Sequence, residues 1–324
     1  MKLPRRKFLH LAAGAAALPA LSRFARAQTY PAHPVHLIVG FAAGGAADVN
    51  SRIMGQWLAE RLGQQFVIEN RTGAGSNIAT EAVVRASPDG YTLLTCSTAN
   101  AINASLYEKL DFDFIRDIAP VAELVRSPLV LIVNPSVPAK TVAEFIAYAK
   151  ANPGKLNFAS AGNGTSEHLA GELFKMMTGV DMIHVPFRGG APAMTALLGG
   201  QVQVYFVVAS TSLAGIKAGM RPLAVTTATR WTGLPDVPAL GETIPGYDVG
   251  VSYGVGAPKN TPREIIEKLN KEINAGLADP KMKAQLSDLG GTPFAGSPGD
   301  FGKFIADETE TWGKVVRAAH LKAD

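Results

Sequence analysis

Five stretches of this chain set glycines and small hydroxylated residues where an apolar run gives way to a helical pattern. They are GFAAGGAAD (40–48), NRTGAGSNIATEA (70–82), CSTANAINA (96–104), SAGNGTSEHLAGEL (160–173) and PFRGGAPAM (186–194). At such a junction the first backbone N–H groups of the helix lack intrahelical partners and the helix dipole is positive, so the turn favours an anion. The first stretch offers Phe41, Gly44, Gly45, Ala47 and Asp48, the second Ser76 and Asn77, and the third Ser97, Thr98 and Asn100. The fourth offers Ser160, Ala161, Gly162, Asn163, Thr165, Ser166 and His168, and the fifth Arg188, Gly189 and Gly190. Converging from several elements, such turns bind a small oxygen-rich anion by hydrogen bonds rather than by salt bridges.

Other chemistries find less support. GFAAGGAAD lacks the spacing of GxGxxG, and no segment matches GxxxxGK[ST], so the glycines are not those of a nucleotide site. Gly250-Val251-Ser252-Tyr253-Gly254 fits G-x-S-x-G, and Asp300 or Asp307 followed by His320 supplies a hydrolase-like order, which makes an esterase using Ser252 the alternative reading. A nucleophile elbow must turn from strand into helix, whereas VGAPKNTP continues extended to Pro258. His10, His33, His36, His168, His184 and His320 form no HExxH motif or clustered ligand set, so neither a metal nor a cofactor is expected. Asp48 suits the first turn of its helix better than a ligand carboxylate, which it would repel. His168 and His184 read as structural, and Arg188 is the one cation beside a candidate loop.

The elements that position these turns alternate strand and helix. VHLIVGF (35–41) precedes a helix near 46–62, QFVIEN (65–70) one near 75–86, and YTLLTCS (91–97) follows the turn Pro88-Asp89-Gly90. Ile53, Trp57, Leu58 and Leu62 recur at helical spacing and mark a face packed on a sheet. The rhythm restarts with PLVLIVNP (128–135), a helix that Thr141 can cap and Pro153-Gly154 stops, and a helix near 165–178. MIHVPF (182–187), a helix near 190–198, VQVYFVV (202–208) and PLAVTT (222–227) follow, then GVSYGVGAP (250–258) and a mostly helical remainder. This alternation predicts an α/β fold with mainly parallel sheets in two lobes, the chain crossing between them near 125–130 and near 245–252.

Composition bounds the setting. PRRKFLHLAAGAAALPALSRFARAQ opens the chain with a basic head, a short apolar stretch and Ala25-Arg26-Ala27, which reads as a cleavable export signal over 1–27. Arg5-Arg6 followed by Phe8-Leu9 resembles the twin-arginine variant. The segment carries six basic and no acidic side chains, so its removal turns the formal charge of +4 into −2 for a product starting at Gln28. No basic block remains, and nucleic acid is not an expected partner. Cys96, alone and inside YTLLTCST, excludes an intramolecular disulfide framework and reads as a packing residue. The product is expected to be soluble, periplasmic and monomeric.

The stretch from IVGFAAGGAADVNSRIMGQWLAERLGQQFVIENRTGAGSNIATEA, with LNFASAGNGTSEHLAGELFK, HVPFRGGAPAMTALLGGQV, LPDVPAL, IPGYDV and YGVGAPKNTP, closely resembles the Bug-type substrate-binding proteins of tripartite tricarboxylate transporters. The resemblance covers essentially the whole mature chain. It implies a type II periplasmic-binding-protein fold, with lobe 1 formed by 28–127 plus 251–324 and lobe 2 by 128–250. It further implies hinge closure on a small carboxylate, no catalysis, and delivery to two membrane permease subunits, or in some relatives to a sensor. The departures bear on the ligand. Ala47 precedes Asp48 where the family commonly has Ser or Thr, and Ser76 stands where it often has Gly. The family often reads GGQVD with a further aspartate near the end of the next strand, whereas this chain has GGQVQVYFVVAS with Gln203, Val207 and Val208. A valine cannot pair with an ammonium, so the expected ligand lacks a charged amino group and carries an apolar or aromatic portion.

Overall fold

The computed structural model describes residues 30–318 and 321–323. The expected export signal, Gln28 and His320 lie outside the described residues. The first half runs β1 (Val35–Val39), α1 (Ala46–Leu62), β2 (Phe66–Asn70), α2 (Asn77–Val84), β3 (Thr92–Ser97), α3 (Thr98–Leu106) and α4 (Phe114–Asp117). Strand β4 (Ile118–Val133) leads into α5 (Val142–Ala151), β5 (Leu156–Ser160), α6 (Ser166–Thr178), β6 (Met182–Pro186), α7 (Gly190–Leu198), β7 (Val204–Val208), α8 (Ala209–Lys217), β8 (Arg221–Val225) and α9 (Leu240–Thr243). The chain closes with β9 (Gly250–Pro258), α10 (Arg263–Ala278), α11 (Pro280–Asp288), β10 (Thr292–Pro293) and α12 (Pro298–Ala318).

Strand order is β2-β1-β3-β9-β4-β7-β5-β6, with β8 and β10 also paired to β4. The outer pairs are parallel, as short strands joined by crossover helices must be: β1 with β2 and β3, and β5 with β6 and β7. The middle is antiparallel, through β3 with β9, β9 with β4, and β4 with β7 and β8. Each half is therefore a parallel trio joined to long antiparallel strands.

Strand β4 is the spine. Up to Pro128 it pairs with β9, and from Leu129 to Val133 it pairs with β7 and β8. Sequence pattern marks only PLVLIVNP as a strand, because Pro120, Glu123 and Arg126 interrupt the apolar run before it. The pairing tolerates these breaks: a register shift falls between Pro120 and Ala122, and Pro128, with no N–H to give, sits opposite Gly250 where the strand changes partners. At this junction Thr226 is fully buried and bonded to both crossing segments. Its N–H donates to Leu129 O, its carbonyl accepts from Val249 N–H, and its hydroxyl donates to Val249 O at 2.7 Å.

Burial is extensive on both sides of the junction. Tyr205, Tyr247, Phe145, Phe158, Phe174 and Phe206 are fully buried, each worth roughly 1.5–3 kcal/mol of transfer free energy. Helix α1 is anchored to α10 by the Trp57 indole N–H donating to Glu272 O at 2.8 Å, and it ends at Gly63, whose φ of 73° closes the last turn on Ala59 O.

Candidate functional site

Four helices begin at one place. Ala46 and Ala47 of α1, Ala99 of α3, Ser166 and Glu167 of α6, and Gly190 of α7 line a single cavity, and all are first or second residues of their helices. In each case the N–H groups at these positions have no carbonyl within the helix, since the first intrahelical bonds are made by Val49, Leu169 and Ala193 in α1, α6 and α7. Four positive helix ends pointing at one cavity favour an anion there.

The side chains agree with the backbone. Ser97, at the end of β3, and Ser166, at the start of α6, both line the cavity, and both hydroxyls are buried without a partner. A buried unpaired hydroxyl costs about 1–3 kcal/mol, so two facing one space mark a site for a polar ligand. Phe41, Val208, Val251 and Tyr253 supply apolar wall, and among the described residues no lysine, arginine or histidine contributes to the lining. A wider groove beside the crossing strands, lined by Arg126, Arg230, Trp231, Ser252 and Trp312, has no comparable orphaned hydroxyl, and its arginines are paired with Glu123 and Glu242.

Of the residues singled out from sequence, Phe41, Gly45, Ala47, Ser97, Ala161, Thr165, Gly190 and Val208 line this cavity. Gly44 lies at its edge, in a neighbouring hollow, with its N–H donated to Asp48. Asp48 is buried as a cap: it takes two bonds from Arg52 and one from Asn70. Burial alone would raise its pKa, but these donors hold it below the usual range. Asn100 caps α3 by accepting from Ser97 N–H at 2.8 Å, and Thr98 Oγ1 accepts from Ser252 N–H at 2.9 Å. Ser76 is tucked beneath Gly40, where a methyl would fall 2.0 Å from its Oγ, and Asn77 accepts from Asn103 Nδ2 at 3.0 Å. Ser160 bonds His184 Nε2 at 2.6 Å, and His184 stacks on His168 with ring centroids 3.9 Å apart. Burial lowers the pKa of His168 to about 4 and that of His184 further, so both rings are neutral at pH 7. Val207 is fully buried in the core and does not reach the cavity, while Arg188 is exposed.

The remaining candidates bring the two halves together. Ala42 N–H donates to Arg188 O at 3.0 Å. A methyl on Gly189 would stand 2.8 Å from Ala42 N, one on Gly75 2.3 Å from Asn163 O, and one on Gly164 1.9 Å from Asn103 Oδ1. Gly162, at φ 139°, turns the chain beneath this rim. Gly189 and Gly75 are required because backbone meets backbone there, and Gly164 because the Asn103 side chain lies against it.

Sequence reasoning missed Glu167, Thr211, Val251 and Tyr253 as cavity residues. Glu167 matters most. Its carboxylate accepts from Ala161 N–H at 2.5 Å and from Tyr205 OH at 3.0 Å, yet burial pushes its pKa up to about 7. The available signal was an acid directly after a capping threonine, which reads equally as ordinary dipole complementarity. Val207 and Val208 place no acid in the cleft, but Glu167 brings one from another element.

Two lobes, a cleft of converging helix starts and a shared spine define a two-lobed solute-binding protein of the periplasmic type. Residues 51–321 match the family described as tripartite tricarboxylate transporter family receptor, and the chain belongs to that family. It is 37% identical over 300 residues to Protein BugT of Bordetella pertussis, covering 91% of this chain and 92% of that protein. Among solved structures it is similar to R. palustris Rpa4515 with adipate (37% identity, TM-score 0.88, 90% of this chain and 99% of that one). It is also similar to MatC from Rhodopseudomonas palustris with bound malate (31% identity, TM-score 0.85, 89% and 100%).

Proposed function

We propose that this chain is an exported periplasmic receptor that closes on a small organic carboxylate and hands it to the permease subunits of a tripartite tricarboxylate-type transporter. The observation that carries the reading is the pair of unpartnered buried hydroxyls, Ser97 and Ser166, facing one cation-free cavity at the starts of four helices. Relatives holding adipate and malate support the ligand class. The lobes are 28–127 plus 251–324 and 128–250, moving as one monomer about the junction of Ser127–Leu129 with Val249–Val251. Among the described residues no helix is long and apolar enough to cross a membrane.

The ligand lacks a charged amino group, since an ammonium in this cavity would face four positive helix ends. Catalysis is not part of the reading. Ser252 lies within β9 instead of on a strand-to-helix turn, and Asp300 and Asp307 are engaged by Ser297 and Lys303.

A thermal-shift screen against mono-, di- and tricarboxylates, aromatic acids and amino acids tests this. Saturation at 100 times Kd stabilises the fold by about 2.7 kcal/mol, a rise of several degrees. A flat response to every carboxylate rejects the reading, and so does a response confined to amino acids.

A further inference from the structure

We propose that Glu167 is the specificity-determining residue of the cavity, and that the ligand carboxylate is bound together with one proton held between it and the Glu167 carboxyl. The inference rests on the receptor reading above. Binding then consumes a proton from solvent, which sits on a Glu167 oxygen and is donated to a ligand oxygen.

The geometry of the floor carries this. A carboxylate offers about four acceptor positions, and Ala161 N–H occupies one on Oε2 and Tyr205 OH one on Oε1. The amide can only donate, and the phenol already does, so a proton on Glu167 is left the cavity side. That side is open because residue 190 is glycine: a methyl there would stand 3.9 Å from Glu167 Oε1, 3.5 Å from Tyr205 OH and 3.7 Å from Thr211 Oγ1.

No cation compensates a second negative charge in the cavity. The titratable groups facing Glu167 are Tyr205 on β7 and Tyr253 on β9, both phenols held far above their ordinary range by burial. On its own helix His168 is turned onto His184, and Lys175 lies two turns further along, bonded to Glu172. Arg188, ahead of α7, is exposed. Helix ends stabilise one anion, but a carboxylate arriving beside an ionised Glu167 meets like charge in a desolvated space. Protonation removes the conflict and turns it into a hydrogen bond.

Burial already brings Glu167 to about 7 in the empty cavity, and a neighbouring carboxylate raises it further. Affinity is therefore level below pH 7 and falls by up to about tenfold per pH unit above it. Free carboxylic acids titrate near 4, so a slope in this range belongs to the protein.

Isothermal titration of the purified protein with adipate, succinate and butyrate from pH 6 to 9, in two buffers of different ionisation enthalpy, tests the proposal. The wild type is expected to take up close to one proton per acid bound at pH 8, with the tenfold loss of affinity per unit. Glu167→Gln carries a neutral amide that donates where the protonated acid would, and is expected to bind at every pH with no uptake. Tight binding by the wild type without proton uptake overturns the proposal, as does an equal slope in Glu167→Gln. Absence of binding by every acid at pH 6 overturns the receptor reading and this inference with it.

Discussion

At the scale of single residues, the two histidines near the cleft are held neutral. His168 and His184 are stacked and desolvated, with pKa values depressed to about 4 and lower. Unfolded histidine titrates near 6.5. Their contribution to stability is thus fully present above pH 6.5 and lost as pH falls from there through the folded value, because the unfolded chain takes up the protons first. Each histidine costs up to about 1.4 kcal/mol per pH unit in that window. Replacing His184 by Phe keeps a ring against His168 and Phe158 while removing one titration. The variant should lose about 2 kcal/mol less than the wild type between pH 6.5 and 5, measured by urea unfolding at both pH values. Equal losses would place the acid sensitivity elsewhere. Glu167 has the opposite sign: its raised pKa favours the fold at low pH and disfavours it as pH rises through 7.

At the scale of elements, the helix starts line the cavity, and their glycines offer the test of it. Gly190 has no strained φ, and a methyl there meets only ordinary contacts with Tyr205, Thr211 and Glu167. Gly190→Ala should therefore melt like the wild type without ligand yet bind its acid at least about tenfold more weakly, a loss of some 1.4 kcal/mol. Undiminished affinity by calorimetry would move the ligand away from this floor. Gly189→Ala, at φ 140° and 2.8 Å from Ala42 N, should suffer in both measurements. These elements were largely legible: α1, α7 and β9 have the bounds that periodicity and turn residues suggest, because each is amphipathic or apolar over its whole length. The first half of β4 was not, because its residues are buried by pairing with β9, more than a hundred positions later in the chain. The turns were legible as anion seats, but only three-dimensional placement separates Ser97, which faces the cavity, from Ser160, which is taken by His184. Glu167 escaped for the same reason: its neighbours Tyr205 and Val208 lie on a different strand.

At the scale of the molecule, the question is how two halves move while sharing one strand. The cleft is closed across glycines on its rim, whereas its far side is tied at Thr226, whose hydroxyl joins Leu129 on β4 to Val249 at the entry to β9. Under the proposed closure, bending at this junction would change the angle between the halves and leave the parallel trios on either side intact. The Thr226 hydroxyl bonds both crossing segments and is placed to make them bend together. Thr226→Val keeps the shape and the two backbone bonds but leaves Val249 O without the hydroxyl, at a cost of about 1–3 kcal/mol. If the hydroxyl only supports packing, the variant melts lower and binds its acid unchanged. If it couples the crossings, the ligand-free variant samples more open arrangements. Its radius of gyration by small-angle scattering should then exceed that of the wild type, converge on the same value when the acid is saturating, and be accompanied by weaker affinity. The expected result is the second, because one fully buried hydroxyl bonds Leu129 and Val249 alike.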